Sequence, residues 1–371
     1  MEFFAQKSEL LDELNLLQGA VEKKSTVPIL SNYLVESADC GLRITATDLE
    51  LGARSSCTAK VKTPGRAAVP ARRLVEIIRS LPDGEIRFKL LENHWVQVTC
   101  HRSSFKLASM ATENFPALPE VPKTAVTLPG DVLAGLIDRT SFAVSQDENR
   151  FCLNGVLLIL KPESVSMVAT DGHRLPLAER RQAVAGVNSE LQMLIPTKAL
   201  GELRRLLGES GEEAKVDISK DDRHLFFSVG GRLLISGQLT GQFPNYAAVL
   251  PRENDKVVEL DSELVTAAIR RVALLADERS HALQLQLEQG RLEISSSRGE
   301  YGEANETVDI AHAGTALRIG FNYHYLLDFF GAVGKNRMVR MQFKDEQSAV
   351  EFFPVDQETY LYRYVVMPLR V

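Results

Sequence analysis

Six consecutive residues, Thr170-Asp171-Gly172-His173-Arg174-Leu175, place a hydroxyl, a carboxylate, an imidazole and a guanidinium side by side. An Asp and a His near a hydroxyl could serve nucleophilic catalysis, the imidazole taking a proton and the carboxylate orienting it. The same run suits a strand end where Gly172 permits a tight turn, or a pocket rim where His173 and Arg174 orient a ligand. No G-x-S-x-G elbow accompanies it, so a hydrolase using Asp171 and His173 is kept only as an alternative. Gly331-Ala332-Val333-Gly334-Lys335-Asn336 looks at first like a phosphate loop. Its glycine spacing is wrong, Asn336 replaces Ser or Thr, and it follows a helical pattern, so it reads as a helix-ending turn. There is no G-x-G-x-x-G. The seven histidines form no H-E-x-x-H and no zinc spacing with cysteine, so no metal and no cofactor are expected. His94 and His101 flank Cys100 and are expected on a sheet surface. Cys40, Cys57, Cys100 and Cys152 form no C-x-x-C pair and are expected as buried free thiols of a cytoplasmic protein.

The elements that must carry these residues recur three times. The chain has 371 residues, enough for two to four domains, with 44% apolar and 25% charged residues, as in folded globular proteins. It has no apolar run long enough to cross a membrane and no signal-peptide pattern. Three amphipathic helix patterns open the thirds: Leu10, Leu11, Leu14 and Leu17; Val132, Leu133, Leu136 and Ile137; Leu264, Val265, Ala268, Ile269 and Val272. Ser8 and Asp261 are the expected N-caps. Alternating strands follow at 42–47, 165–170 and 292–297. A second helix recurs as Leu74, Ile77 and Leu81, then Leu200, Leu203 and Leu207, then Leu326, Phe329 and Val333, the first two entered through Pro70 and Pro196. Strands at 86–90, 216–219 and 339–343 come next. Phe115-Pro116 and Phe243-Pro244 lead into Pro-rich linkers at 117–122 and 247–251. The expected fold is therefore α+β, three tandem copies at 1–122, 123–252 and 253–371. Each copy is expected to set two helices on one face of an antiparallel sheet.

The net charge of −6 argues against a generally basic nucleic-acid binder. Local basic faces exist: Arg72, Arg73 and Arg79 outnumber Glu76, and Lys198, Arg204 and Arg205 outnumber Glu202. Strong static DNA affinity is not expected from so few cations.

Pro28-Ile29-Leu30, Thr47-Asp48-Leu49-Glu50, Val69-Pro70-Ala71-Arg72, Leu153-Asn154-Gly155, the 170–175 run, Phe243-Pro244-Asn245-Tyr246 and Tyr364-Val365-Val366-Met367-Pro368-Leu369-Arg370 occur in an order that resembles the bacterial DNA polymerase III β subunit family, the replicative sliding clamps. The resemblance covers the whole chain. It implies a clamp fold, a head-to-tail homodimer closed as a ring, and double-stranded DNA through the hole. It implies no catalytic residues and no membrane partner. A partner-peptide pocket is implied at Leu153, Thr170, Gly172, His173, Arg174, Leu175, Pro244, Val249, Val365, Val366, Met367, Pro368 and Leu369. The partners implied are the DNA polymerase III catalytic subunit, the clamp loader, other polymerases and repair proteins, bound through Gln-Leu-x-Leu-Phe-like motifs. DNA-facing residues are implied at Lys24, Arg72, Arg79 and Lys198, and helix phase adds Arg204 and Arg205. A ring seam is implied between Ile77, Arg102, Phe105 and Leu107 and, on the other side, Leu274, Leu275 and Glu303.

Overall fold

The structure, a computed structural model, describes residues 1–22, 27–38, 41–147, 149–211, 213–296, 302–312, 314, 316–357 and 359–370. Among them are six α-helices: α1 (Lys7–Leu17), α2 (Ala71–Ser80), α3 (Gly130–Thr140), α4 (Thr197–Glu209), α5 (Ser262–Val272) and α6 (Tyr323–Val333). They stand where the apolar periodicity predicts them. The stripes that are buried differ in detail: α1 buries Leu10, Leu14, Leu16 and Leu17 and leaves Leu11 half-exposed, while Leu264 of α5 faces solvent. Asp261 caps α5, accepting from the backbone N–H groups of Glu263 and Leu264. Ser8 is not a cap; α1 begins a residue earlier, behind Gln6, which makes no side-chain cap. Pro70 is the residue that precedes the first turn of α2, so its fixed φ aims the chain into the helix from outside. Gly334, at φ +89°, closes α6, as the helix-ending reading of that run requires.

The strands form four antiparallel sheets among the described residues. The first runs Lys60–Thr63, Glu2–Gln6, Glu85–Leu90, Trp95–Cys100, Ser103–Ala108. The second runs Val126–Pro129, Lys215–Lys220, His224–Val229, Arg232–Gly237, Leu51–Cys57, Gly41–Thr47, Asn32–Ala38, Arg66–Pro70. The third runs Leu191–Pro196, Gly155–Lys161, Ser164–Val168, Arg174–Arg181, Leu361–Val366, Val350–Pro354, Met338–Phe343, Lys256–Asp261. The fourth runs Asn305–Asp309, Arg291–Ser296, Ala282–Glu288, Leu317–Asn322. The expectation of one sheet per copy is corrected here. Neighbouring copies fuse half-sheets edge to edge, Arg232–Gly237 pairing with Leu51–Cys57 and Arg174–Arg181 with Leu361–Val366. Two helices also serve two sheets each: α1 packs on the Glu2–Gln6 strand of the first and on Leu51–Cys57 of the second, and α5 on the third and fourth. Edge strands invite foreign pairing, and fusing them satisfies their N–H and C=O groups.

By compactness the chain falls into two units, Met1–Asp131 with Lys198–Gln238, and Val132–Thr197 with Leu239–Val371. The middle third gives half of its strands to each shared sheet, which is why compactness follows the sheets. The first unit's core holds Phe3 stacked on Phe88 at 4.7 Å, and Tyr33, whose hydroxyl donates to Leu14 O at 2.7 Å. In the second, Phe329 stacks on Tyr364 at 5.0 Å.

His94 and His101 lie in turns with φ of +58° and +50°, not on the sheet surface expected of them; each sits where a strand of the first sheet starts or stops. Cys57 and Cys100 are buried free thiols, as expected, while Cys152 is half-buried; Cys40 lies outside the described residues. Burial, with Glu13 and Glu9 nearby, pushes the Cys57 thiol up to about 12. Because the folded value is raised, stability from this group is intact below an unfolded thiol value of about 8.5 and falls as pH rises from there toward 12. Iodoacetamide at pH 8 should alkylate Cys152 in the native protein and reach Cys57 only after denaturant is added. Mass spectrometry of the peptides reads this directly, and native labelling of Cys57 would contradict the burial.

Candidate functional site

The 170–175 run is a turn at the start of the Arg174–Arg181 strand. Thr170 Oγ1 donates to Arg174 O at 2.7 Å and accepts from Gly172 N at 3.0 Å. Asp171 Oδ1 accepts from His173 N at 2.9 Å and Arg174 N at 3.1 Å. Gly172 sits at φ +92°, where a side chain would be strained. Asp171 Oδ2 faces the Arg174 guanidinium at 2.9 Å rather than the His173 ring. The carboxylate therefore has no imidazole to orient, and the catalytic reading loses its dyad.

Arg174 is bound on every side. Nη1 donates to Asp328 at 2.6 Å, Nη2 to Phe142 O at 2.7 Å, and the guanidinium lies 4.4 Å from the Tyr325 ring centre. Its side chain is 9% exposed, so it braces the rim from beneath. Burial opposes its charge, but Tyr364, Asp328 and Asp171 outweigh burial and hold its protonation above the usual arginine range.

Beside this turn lies an apolar floor of Leu157, Ile159, Val168, Leu175, Leu194 and Val365, all buried. Phe243, Tyr246, Leu250, Leu177, Leu239, Cys152 and Ala349 pack on it half-buried. Of the expected pocket residues, Leu153, Thr170, Leu175, Val365 and Val366 are buried. Gly172, His173, Pro244, Val249 and Met367 are exposed around them, and Pro368 and Leu369 are half-buried. The C-terminal tail is pinned across the site: Met367 N donates to His173 O at 2.9 Å and Leu369 N to Gly320 O at 2.8 Å. A cavity of about 480 Å³ runs beside the tail, bounded by Met367, Pro368, Leu369, Arg318, Glu346 and Gln347. The apolar floor and the pinned tail thus both lie beside the 170–175 turn, with polar residues exposed around them. Sequence reasoning missed Cys152, Tyr246 and Leu250; Tyr246 stood inside a quoted motif, but no local signal says which side of a linker turns inward.

The basic residues divide by what they touch. Arg72 and Arg73 both donate to Glu76 at 2.9 Å and remain largely exposed. Arg79 donates to Asn15 Oδ1 at 3.0 Å. These line an open cavity of about 660 Å³ with Val21, Pro70 and Val75. Arg205 is different: it donates to the carbonyls of Asn15 and Leu16 and pairs with Glu202, which ties α4 to the end of α1. Helix phase gives a face but not a partner 190 residues away, and the structure adds this tie to the expectation that Arg205 faces DNA. Arg204 is half-buried and partnered. Lys198 pairs with Asp48. Lys24 lies outside the described residues.

The expected seam residues sit on or beside free sheet edges. Phe105 and Leu107 are half-buried on Ser103–Ala108, the edge of the first sheet, with Arg102 exposed at its start. Ile77 is half-buried on α2. Leu274, 82% exposed, and Leu275 follow α5, which packs on Asn305–Asp309, the edge of the fourth sheet; Glu303 precedes that strand.

Three models of one family match successive parts of the chain: the N-terminal domain of the DNA polymerase III beta subunit over residues 1–119, its central domain over 127–245 and its C-terminal domain over 247–370. The beta sliding clamp of Pseudomonas aeruginosa is 35% identical and that of Escherichia coli K12 32% identical, each over the full length of both chains. A crystal structure of a Pseudomonas aeruginosa sliding clamp bound to griselimycin superposes with a TM-score of 0.93 at 36% identity, covering both chains completely. One from Bartonella birtlesii, also bound to griselimycin, gives 0.93 at 30% identity. The chain thus belongs to the DNA polymerase III beta subunit family, the bacterial sliding clamps, whose three tandem α+β domains make a noncatalytic processivity factor that tethers polymerase to DNA.

Proposed function

We propose that two copies of this chain join head to tail into a ring around duplex DNA, and that partner proteins dock in the groove beside Met367. The observation that carries ring closure is a repeated edge pairing. Leu51–Cys57 of the first copy pairs with the last strand of the second, Arg232–Gly237. Arg174–Arg181 of the second pairs with the last strand of the third, Leu361–Val366. The next step in that series is Asn305–Asp309 of the third copy with the last strand of the first, Ser103–Ala108. Both of these are sheet edges, so the pairing is completed by another chain. Phe105, Leu107 and Ile77 then meet Leu274 and Leu275, with Arg102 and Glu303 supplying charge at the margin. The copies of 1–122, 123–252 and 253–371 give six domains around the hole. The acidic net charge keeps DNA off the outside, and the arginines of α2 steady it within.

The groove takes Gln-Leu-x-Leu-Phe-like segments of the polymerase III catalytic subunit, the clamp loader, other polymerases and repair proteins, which compete for it in the cytoplasm. Leucine and phenylalanine anchors fit the apolar floor, and Met367 adapts to each. Fluorescence anisotropy of a labelled Gln-Leu-Ser-Leu-Phe peptide tests this reading. Saturable binding is expected, with none for a peptide carrying Ala at both leucines and the phenylalanine. Equal binding of the two peptides would refute the groove.

A further inference from the structure

The turn beneath the groove has a twin in the first copy. Thr47 Oγ1 donates to Leu51 O at 3.0 Å and accepts from Leu49 N at 3.0 Å. Asp48 Oδ1 accepts from Glu50 N at 3.0 Å and Leu51 N at 2.7 Å. Every bond matches one at 170–174, and Leu49 at φ +81° takes the place of Gly172. In both turns the backbone consumes Oδ1, so Oδ2 is left to face a cation. At Asp171 that cation is Arg174; at Asp48 it is the Lys198 ammonium on the first turn of α4.

Lys198 sits against the field of its own helix. The N-terminus of a helix carries partial positive charge and favours carboxylates, yet the first turn of α4 has no acidic residue. Asp48 supplies the missing negative charge from a strand end 150 residues away. The pair is lopsided: the Asp48 side chain is 2% exposed and that of Lys198 47%. A buried carboxylate thus holds one side of an ammonium whose other donors face solvent.

We infer that Asp48 is a positioning residue for DNA: it fixes the Lys198 ammonium at the DNA-facing surface and offsets part of its charge, so that the lysine meets a backbone phosphate weakly and lets the ring slide. This rests on the reading of Lys198 as DNA-facing. Asp48→Asn is the informative variant, because it keeps the Oδ1 acceptor and removes only the charge opposite Lys198. Anisotropy titrations of the intact dimer with a labelled linear duplex at low salt should show D48N binding about three- to tenfold tighter, with a steeper salt dependence. Lys198→Met should weaken binding, and D48N/K198M should match K198M. Should D48N fail to fold, the salt slope of K198M alone decides: the dimer loses two lysines, so a loss well under the ~1.8 of two full phosphate contacts is expected, and a loss of about 1.8 overturns the inference. Wild-type binding by a folded D48N, beside weakened K198M, would overturn the positioning role and leave Lys198 DNA-facing. Unchanged binding by K198M would remove the DNA-facing reading itself.

Discussion

Leu107→Glu should convert the ring into monomers. Leu107 is half-buried on the free edge Ser103–Ala108, and pairing with Asn305–Asp309 of a second chain would close water off from it. A carboxylate placed there without a partner costs several kcal/mol, on the order of 3–5. That lowers association by at least about a hundredfold, since ~1.4 kcal/mol is a factor of ten. Light scattering at micromolar protein should report one chain per particle for Leu107→Glu and for Leu274→Glu. Lys106→Glu is the control, because Lys106 is exposed and its neighbour-to-neighbour alternation along the strand points it the other way. If Leu107→Glu remained dimeric, that edge would not be the seam.

Removing residues 367–371 should abolish peptide binding while the dimer persists. The tail supplies Met367, Pro368 and Leu369 to the groove, and it is held by two backbone hydrogen bonds, at 2.9 and 2.8 Å. Losing them costs the fold about 1 kcal/mol each, too little to unfold it. The groove loses one wall and its adaptable methionine, so affinity for the Gln-Leu-Ser-Leu-Phe peptide should fall beyond measurement. Met367→Asp tests the same wall without truncation. Circular dichroism and light scattering should match the intact protein in both, and retained peptide binding would place the groove elsewhere.

The elements were readable because their causes are local. The apolar spacing of Val132, Leu133, Leu136 and Ile137 makes α3, and all four residues are buried. Alternation at 42–47 makes a strand, and Asp261 caps α5 because its carboxylate reaches two N–H groups within three residues. Apart from the Ser8 cap and the turns at His94 and His101, what the sequence does not reveal is long-range. Which strand edge meets which depends on partners about 180 residues apart, as for Leu233 and Arg54, and nothing local marks it. Helix phase gives Arg205 and Lys198 a face but not their partners, the Asn15 carbonyl and Asp48, which lie 190 and 150 residues away. The 170–175 run was open among turn, rim and catalysis because residue types alone do not say whether Asp171 faces His173 or Arg174. The hydrogen bonds settle that, in favour of Arg174.

The two fused sheets differ from the unfused edges in one respect that has a kinetic consequence. Within a chain the paired strands belong to one polypeptide, so each meets its partner at an effective concentration that dilution does not change. The proposed pairing of Ser103–Ala108 with Asn305–Asp309 would have no such tether and would answer to mass action. Dilution, or any factor that stabilises the separated edges, therefore acts on that pairing first while the internal sheets stay shut. A ring built this way has its doors placed by covalent connectivity, and they stand where the polypeptide does not cross.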